Sequence, residues 1–113
     1  MRSNCTLTIS LSLLAGAAYA APSTALDPKV QAYFEGHCLK CHDADVQKGD
    51  FRLDTLSPKV GFENTPQWLE IMERINSGEM PPKKEKQPKA GDNAQVVEWI
   101  AARMKEGESA RMA

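Results

Sequence analysis

The sequence predicts an all-α domain of three main helices joined by loops. Three observations carry that expectation. Apolar residues recur at helical spacing in three separate segments, each segment opens on a capping residue, and no strand-helix-strand alternation occurs. The chain has 113 residues, enough for one domain.

The first helix opens at Asp27, an N-cap residue, with Pro28 at the first helical position. Val30, Tyr33, Phe34 and His37 then share one face, and the helix runs directly into "GHCLKCHDAD", residues 36–45. Residues 43–63 keep no sustained helical period. Within them "KGDFRLDTL" sets Phe51 and Leu53 on one side, as an extended segment or a short helical turn would. "SPKVGFEN" reads as loop from its proline and glycine. The second helix opens at Thr65 with Pro66 behind it. It carries Trp68, Ile71, Met72 and Ile75 on one stripe and closes at Gly78. The exposed loop "GEMPPKKEKQPKAG" follows. Asp92 with Gln95 resembles a capping box, and Val96, Val97, Ile100, Ala101 and Met104 form the stripe of the third helix, with Trp99 on its flank.

The N-terminus reads as an export signal. Met1 and Arg2 form a thin positive region, "TLTISLSLLAGAA" is a short apolar stretch, and Ala18–Ala20 is a small-residue cleavage site. The stretch is too short for a membrane span, and Cys5 lacks a lipobox. The expected organisation is a signal peptide at 1–20, a leader at 21–26, one domain at 27–106 and a flexible polar tail at 107–113. Cleavage removes Cys5, and with it Arg2, one of 14 basic residues, but none of the 15 acidic ones. The slightly acidic remainder is no nucleic-acid footprint and has no segment for stable membrane insertion. A domain this small buries a modest core and gains from a buried ligand.

Three chemistries use a Cys-x-x-Cys pair. A closed zinc site needs four ligands around one ion; Cys38, Cys41, His37 and His42 are packed too closely in sequence to surround it. A thioredoxin-like dithiol sits at a helix N-terminus after a strand, whereas here a helix precedes the pair. The third is covalent attachment of haem c, whose signature is Cys-x-x-Cys-His. Each thiol forms a thioether with one vinyl group, and the residue after the second cysteine ligates iron. Cys38 and Cys41 are then the anchors and His42 the proximal ligand. Export suits this reading, since bacteria attach haem c outside the cytoplasm.

The second axial ligand is expected from methionine. His37 precedes Cys38 on the same anchored segment and cannot cross to the other face of the porphyrin. Met72 and Met104 lie on apolar helix stripes and read as core filler, and Met112 lies in the tail. Met80 stands apart, between a helix-ending Gly78-Glu79 and the stiff Pro81-Pro82, and is the expected ligand.

Taken together, "YFEGHCLKCH", "KGDFRLDTL" and "INSGEMPP…VVEWI" resemble a small class I cytochrome c, and more closely the planctomycete-type cytochrome c domain. The resemblance implies a cytochrome c-like all-α fold wrapped around one covalent haem c, with Cys38, Cys41, His42 and Met80 as the haem residues. It also implies that Phe34 packs where the first and last helices cross, against the Trp99 region. One feature departs from class I. The Gly-Pro that follows the motif there, whose proline carbonyl accepts from the proximal imidazole, has no counterpart; the first proline after His42 is Pro58, with no glycine before it. The acceptor for His42 stays open, though one is expected.

The expected role is that of an exported, periplasmic monohaem electron carrier rather than an enzyme: a His/Met-ligated haem has no open site, and methionine favours the ferrous state. Trp68, Ile71, Ile75, Phe51, Leu53, Val96 and Ile100 are the expected pocket or core residues, and Arg52 and Arg74 are candidate partners for the haem propionates. Lys83, Lys84, Lys86 and Lys89 follow the ligand loop and form a candidate docking patch for an acidic redox protein, with the carrier itself a monomer. The alternatives are a five-coordinate haem domain that binds or senses small ligands, and an electron-transfer subunit of a larger oxidoreductase complex.

Overall fold

The computed structural model describes residue 16 and residues 26–61 and 63–113. Of the expected signal peptide only Gly16, and of the leader only Leu26, fall among them. Three α-helices form: α1 (Pro28–His37), α2 (Thr65–Asn76) and α3 (Ala90–Met112), with a 3-10 turn at Lys48–Asp50. There is no strand among the described residues, so the fold is all-α as expected. The long α3 packs against both α1 and α2.

The N-terminus of α1 forms as the sequence dictates. Asp27 accepts from the Lys29 backbone N–H at 2.8 Å, and Pro28 supplies a preset φ where no helical donor is needed. Val30, Tyr33 and Phe34 are buried, and they meet Val96 and Ile100 of α3 in one core. Trp68 of α2 stands at its centre. Its indole lies 6.1 Å from the Phe34 ring and 5.5 Å from Trp99, and its Nε1–H donates to the Ser57 carbonyl at 3.0 Å. Phe34 thus reaches the Trp99 region through Trp68, which inserts between them. Met72 and Met104 pack half-buried against this core.

Three helix boundaries differ from expectation. Thr65 is the first residue of α2 and Asn64 holds the capping position. The Thr65 hydroxyl bonds the Gly61 carbonyl at 2.5 Å, while Asn64 accepts from the Gly61 N–H and donates to the Lys59 carbonyl. Both side chains tie down the preceding loop. In α3, Lys89 is extended after Pro88 and the chain is already helical from Ala90, so Asp92 lies in the first turn and no capping box forms. Its charge still suits the positive end of the helix. Lastly, α3 continues through the residues expected as a tail, as far as Met112. Arg111 bonds Glu108 there through both Nε and Nη2. Gly107 sits where an added Cβ would strike the Val60 carbonyl, so the lack of a side chain lets α3 touch the loop before α2.

Candidate functional site

The cysteine pair lies on a turn that continues α1. Cys38 and Leu39 N–H groups reach the Phe34 carbonyl at 2.9 Å each, and Cys41 and His42 N–H groups reach the Cys38 carbonyl at 3.1 Å each. Cys38, Cys41 and His42 are half-buried, and both cysteines are free thiols. Burial pushes the Cys38 thiol up to about 12, with Cys41 beside it adding to the effect, so Cys38 stays protonated at neutral pH.

The segment "KGDFRL" folds back onto this turn. Lys48 N–H donates to the Cys41 carbonyl and Leu53 N–H to the His42 carbonyl, each at 2.8 Å. Between them the His42 Nδ1 lies 3.1 Å from the Phe51 carbonyl, and the Phe51 ring stands edge-on to the imidazole at 5.7 Å. A carbonyl only accepts, so Nδ1 carries the proton and Nε2 is the nitrogen left to bind a metal. Phe51 is therefore the acceptor that the missing Gly-Pro left open. "KGDFRLDTL" takes the form of a 3-10 turn at Lys48–Asp50 followed by extended backbone at Phe51, and Leu53 enters the core.

On the other side, Gly78 takes a left-handed φ of 76° past the end of α2, and the Met80 N–H reaches back to the Arg74 carbonyl at 3.1 Å. The Met80 side chain is 36% exposed, and Pro81 behind it is buried. Gln87, which the sequence reading passed over, gathers this loop. Its Nε2 donates to the Pro82 carbonyl at 2.9 Å and the Glu85 carbonyl at 3.1 Å. Lys40, inside the cysteine motif, lies 4.0 Å from Glu85, so the motif and the methionine loop are neighbours.

Two propionate candidates are already committed. Arg52 holds Asp54 through Nε and Nη2, at 3.0 and 2.7 Å, and this bond keeps the Asp54 carboxyl below its usual range. Arg74 pairs with Glu70 at 3.5 Å and with Glu79. His37 ends α1 on its helical face, with its ring 5.3 Å from Tyr33.

The donor set fits haem c. Two free thiols sit one turn apart, an imidazole beside them has Nδ1 occupied and Nε2 available, and a thioether sulfur lies on the adjoining loop. Residues 38–84 match the family described as Planctomycete cytochrome C. The match spans the cysteine motif, the Phe51 loop, α2 and Met80. No curated protein and no solved structure matches the chain. No helix among the described residues is long and apolar enough to cross a membrane.

Proposed function

We propose that the chain is an exported, periplasmic monohaem c-type cytochrome that passes single electrons between redox proteins. The observation that supports this best is the His42 Nδ1 contact with the Phe51 carbonyl, since it leaves Nε2 as the metal-binding nitrogen directly after the cysteine pair. Cys38 and Cys41 would hold the haem by thioether bonds, and His42 and Met80 would ligate its iron. The bound haem supplies a one-electron ferric/ferrous couple. Met80 raises the potential of that couple by favouring the ferrous form. With His42 and Met80 both on the iron, no position would be left for substrate, which suits a carrier.

Mass spectrometry of the exported chain tests the attachment. One haem mass added covalently is expected, lost on replacing both cysteines, and a chain without it overturns the reading. The oxidised protein is expected to show the near-infrared band of methionine on iron, kept in Met72→Ala and absent in Met80→Ala. Its survival in Met80→Ala would remove Met80 as the ligand.

Lys83, Lys84, Lys86 and Lys89 are exposed next to the methionine loop and form the docking patch of this proposal. They act on encounter rate by steering an acidic partner. Neutralising all four is expected to flatten the ionic-strength dependence of electron transfer. An unchanged dependence would place docking elsewhere.

A further inference from the structure

We propose that residues 47–53 form a clamp, built from backbone, that orients the His42 imidazole, with Gly49 and Phe51 as its positioning residues; this rests on the haem reading above. Three contacts define the clamp: Lys48 N–H to the Cys41 carbonyl, Leu53 N–H to the His42 carbonyl, and His42 Nδ1 to the Phe51 carbonyl. The two backbone bonds fix the peptide on either side of the histidine, and the third fixes the rotation of its ring. The Phe51 ring against the imidazole edge adds a fourth restraint.

The return of the chain onto the motif depends on left-handed backbone. Gln47, Gly49 and Asp50 have φ of 42°, 65° and 56°. Two of the three are not glycine, and such residues persist in this region only where the surroundings hold them there. The segment spends conformational strain to bring one carbonyl under one imidazole nitrogen. Residues 44–50 are all exposed, and the buried side chain of the segment is Leu53, at its far end. Gly49 has nothing within 4 Å of where a Cβ would stand. A Cβ at Gly49 therefore meets open space, and the left-handed φ of 65° is what a β-branched residue there would strain.

The consequence is electronic as well as geometric. A hydrogen bond from Nδ1–H raises the donor strength of the imidazole. A stronger donor favours the ferric state, so loosening the clamp raises the reduction potential.

The experiment uses the haem-loaded full chain, isotopically labelled and reduced. Covalent haem is confirmed first by mass, so failure of the haem reading is seen separately from failure of the clamp. NMR is expected to show a slowly exchanging His42 Nδ1–H with scalar coupling across the hydrogen bond to the Phe51 carbonyl carbon. Gly49→Val is expected to speed that exchange about tenfold, the factor for losing one hydrogen bond, and to raise the midpoint potential. Asp50→Gly keeps the left-handed backbone and is expected to retain the exchange rate and potential of the natural protein. Coupling to another carbonyl, or none, overturns the proposal. So does a Gly49→Val protein with unchanged exchange and potential. An Asp50→Gly shift as large as that of Gly49→Val assigns the effect to the Asp50 carboxylate and also overturns it. Where Gly49→Val does not load haem, the coupling in the natural protein decides.

Discussion

The helices and the loops of this domain are held by different forces. Around Trp68, the helices bury Val30, Phe34, Val96 and Ile100, and Trp68 and Ile100 are at most 1% exposed. Among the described residues, the loops carrying His42, Phe51 and Met80 contribute only Leu53, Val60 and Pro81 to the buried ones. They are shaped by backbone hydrogen bonds, by left-handed residues at 47, 49, 50 and 78, and by Gln87 reaching for carbonyls. Packing of the first kind resists change, because every removed methylene leaves a cavity. Structure of the second kind opens locally at low cost. Stability and ligation are therefore separable properties in this molecule, and substitutions can strike one without the other.

Trp68→Ala is the severest test of that division. It empties the centre of the core and removes the bond to Ser57, and is expected to cost about 3–5 kcal/mol in denaturant unfolding. Trp68→Phe keeps most of the packing and is expected to cost far less. A small loss for Trp68→Ala would mean that the core does not centre on this residue.

Gly107→Ala probes a close contact between α3 and the loop before α2. By helix propensity alone the change gains about 1 kcal/mol. The new Cβ meets the Val60 carbonyl, however, and a net loss of about 1–3 kcal/mol is expected from overpacking. A gain would show that the α3–loop contact yields freely.

Tyr33 tests the core through pH. Burial, followed by the nearby Cys38 and Asp92 charges, raises its phenol from 10.0 to about 12. The folded chain thus holds this proton more tightly than the unfolded chain. Its contribution is intact below pH 10 and is lost as pH rises toward 12, with a slope of at most about 1.4 kcal/mol per pH unit. Tyr33→Phe is expected to remove that component of the alkaline fall. At neutral pH it costs about 1 kcal/mol for the 2.6 Å bond to Asn93. Parallel pH profiles for the two proteins would contradict the assignment.

Met80→Ala gives the smallest stability effect. The residue is 36% exposed, so unfolding measured without haem is expected to change by less than about 1 kcal/mol, whereas the proposed function expects ligation to be lost in the loaded protein. A large change without haem would place Met80 among the core residues.

The helical frame was readable because its signals are side-chain signals. The spacing of Val30, Tyr33 and Phe34, the Asp27 cap, and the apolar stripe ending at Gly78 are all written in residue types. The cysteine motif was readable for the same reason. The Phe51 acceptor was not, because every residue carries a carbonyl and nothing in its identity marks which one is used. Gly49 was the single hint of a left-handed turn, while Gln47 and Asp50 adopt that region without the usual residue type. The end of α3 reads as a tail because its residues are polar, and the Val60 carbonyl that Gly107 approaches lies far away in sequence. Asp92 looked like a cap because its residue type fits one, but the extended Lys89 had already launched the helix.

The Lys40–Glu85 pair has a meaning for assembly. Its partners belong to the cysteine turn and the methionine loop, between which the proposed haem would sit. Lys40 is 83% exposed and the pair is 4.0 Å long, so it is worth under about 1 kcal/mol and weakens further with salt. The halves of the site meet along a seam rather than a weld. On the proposed function, a rigid planar guest would enter by parting that seam while the helices stay folded.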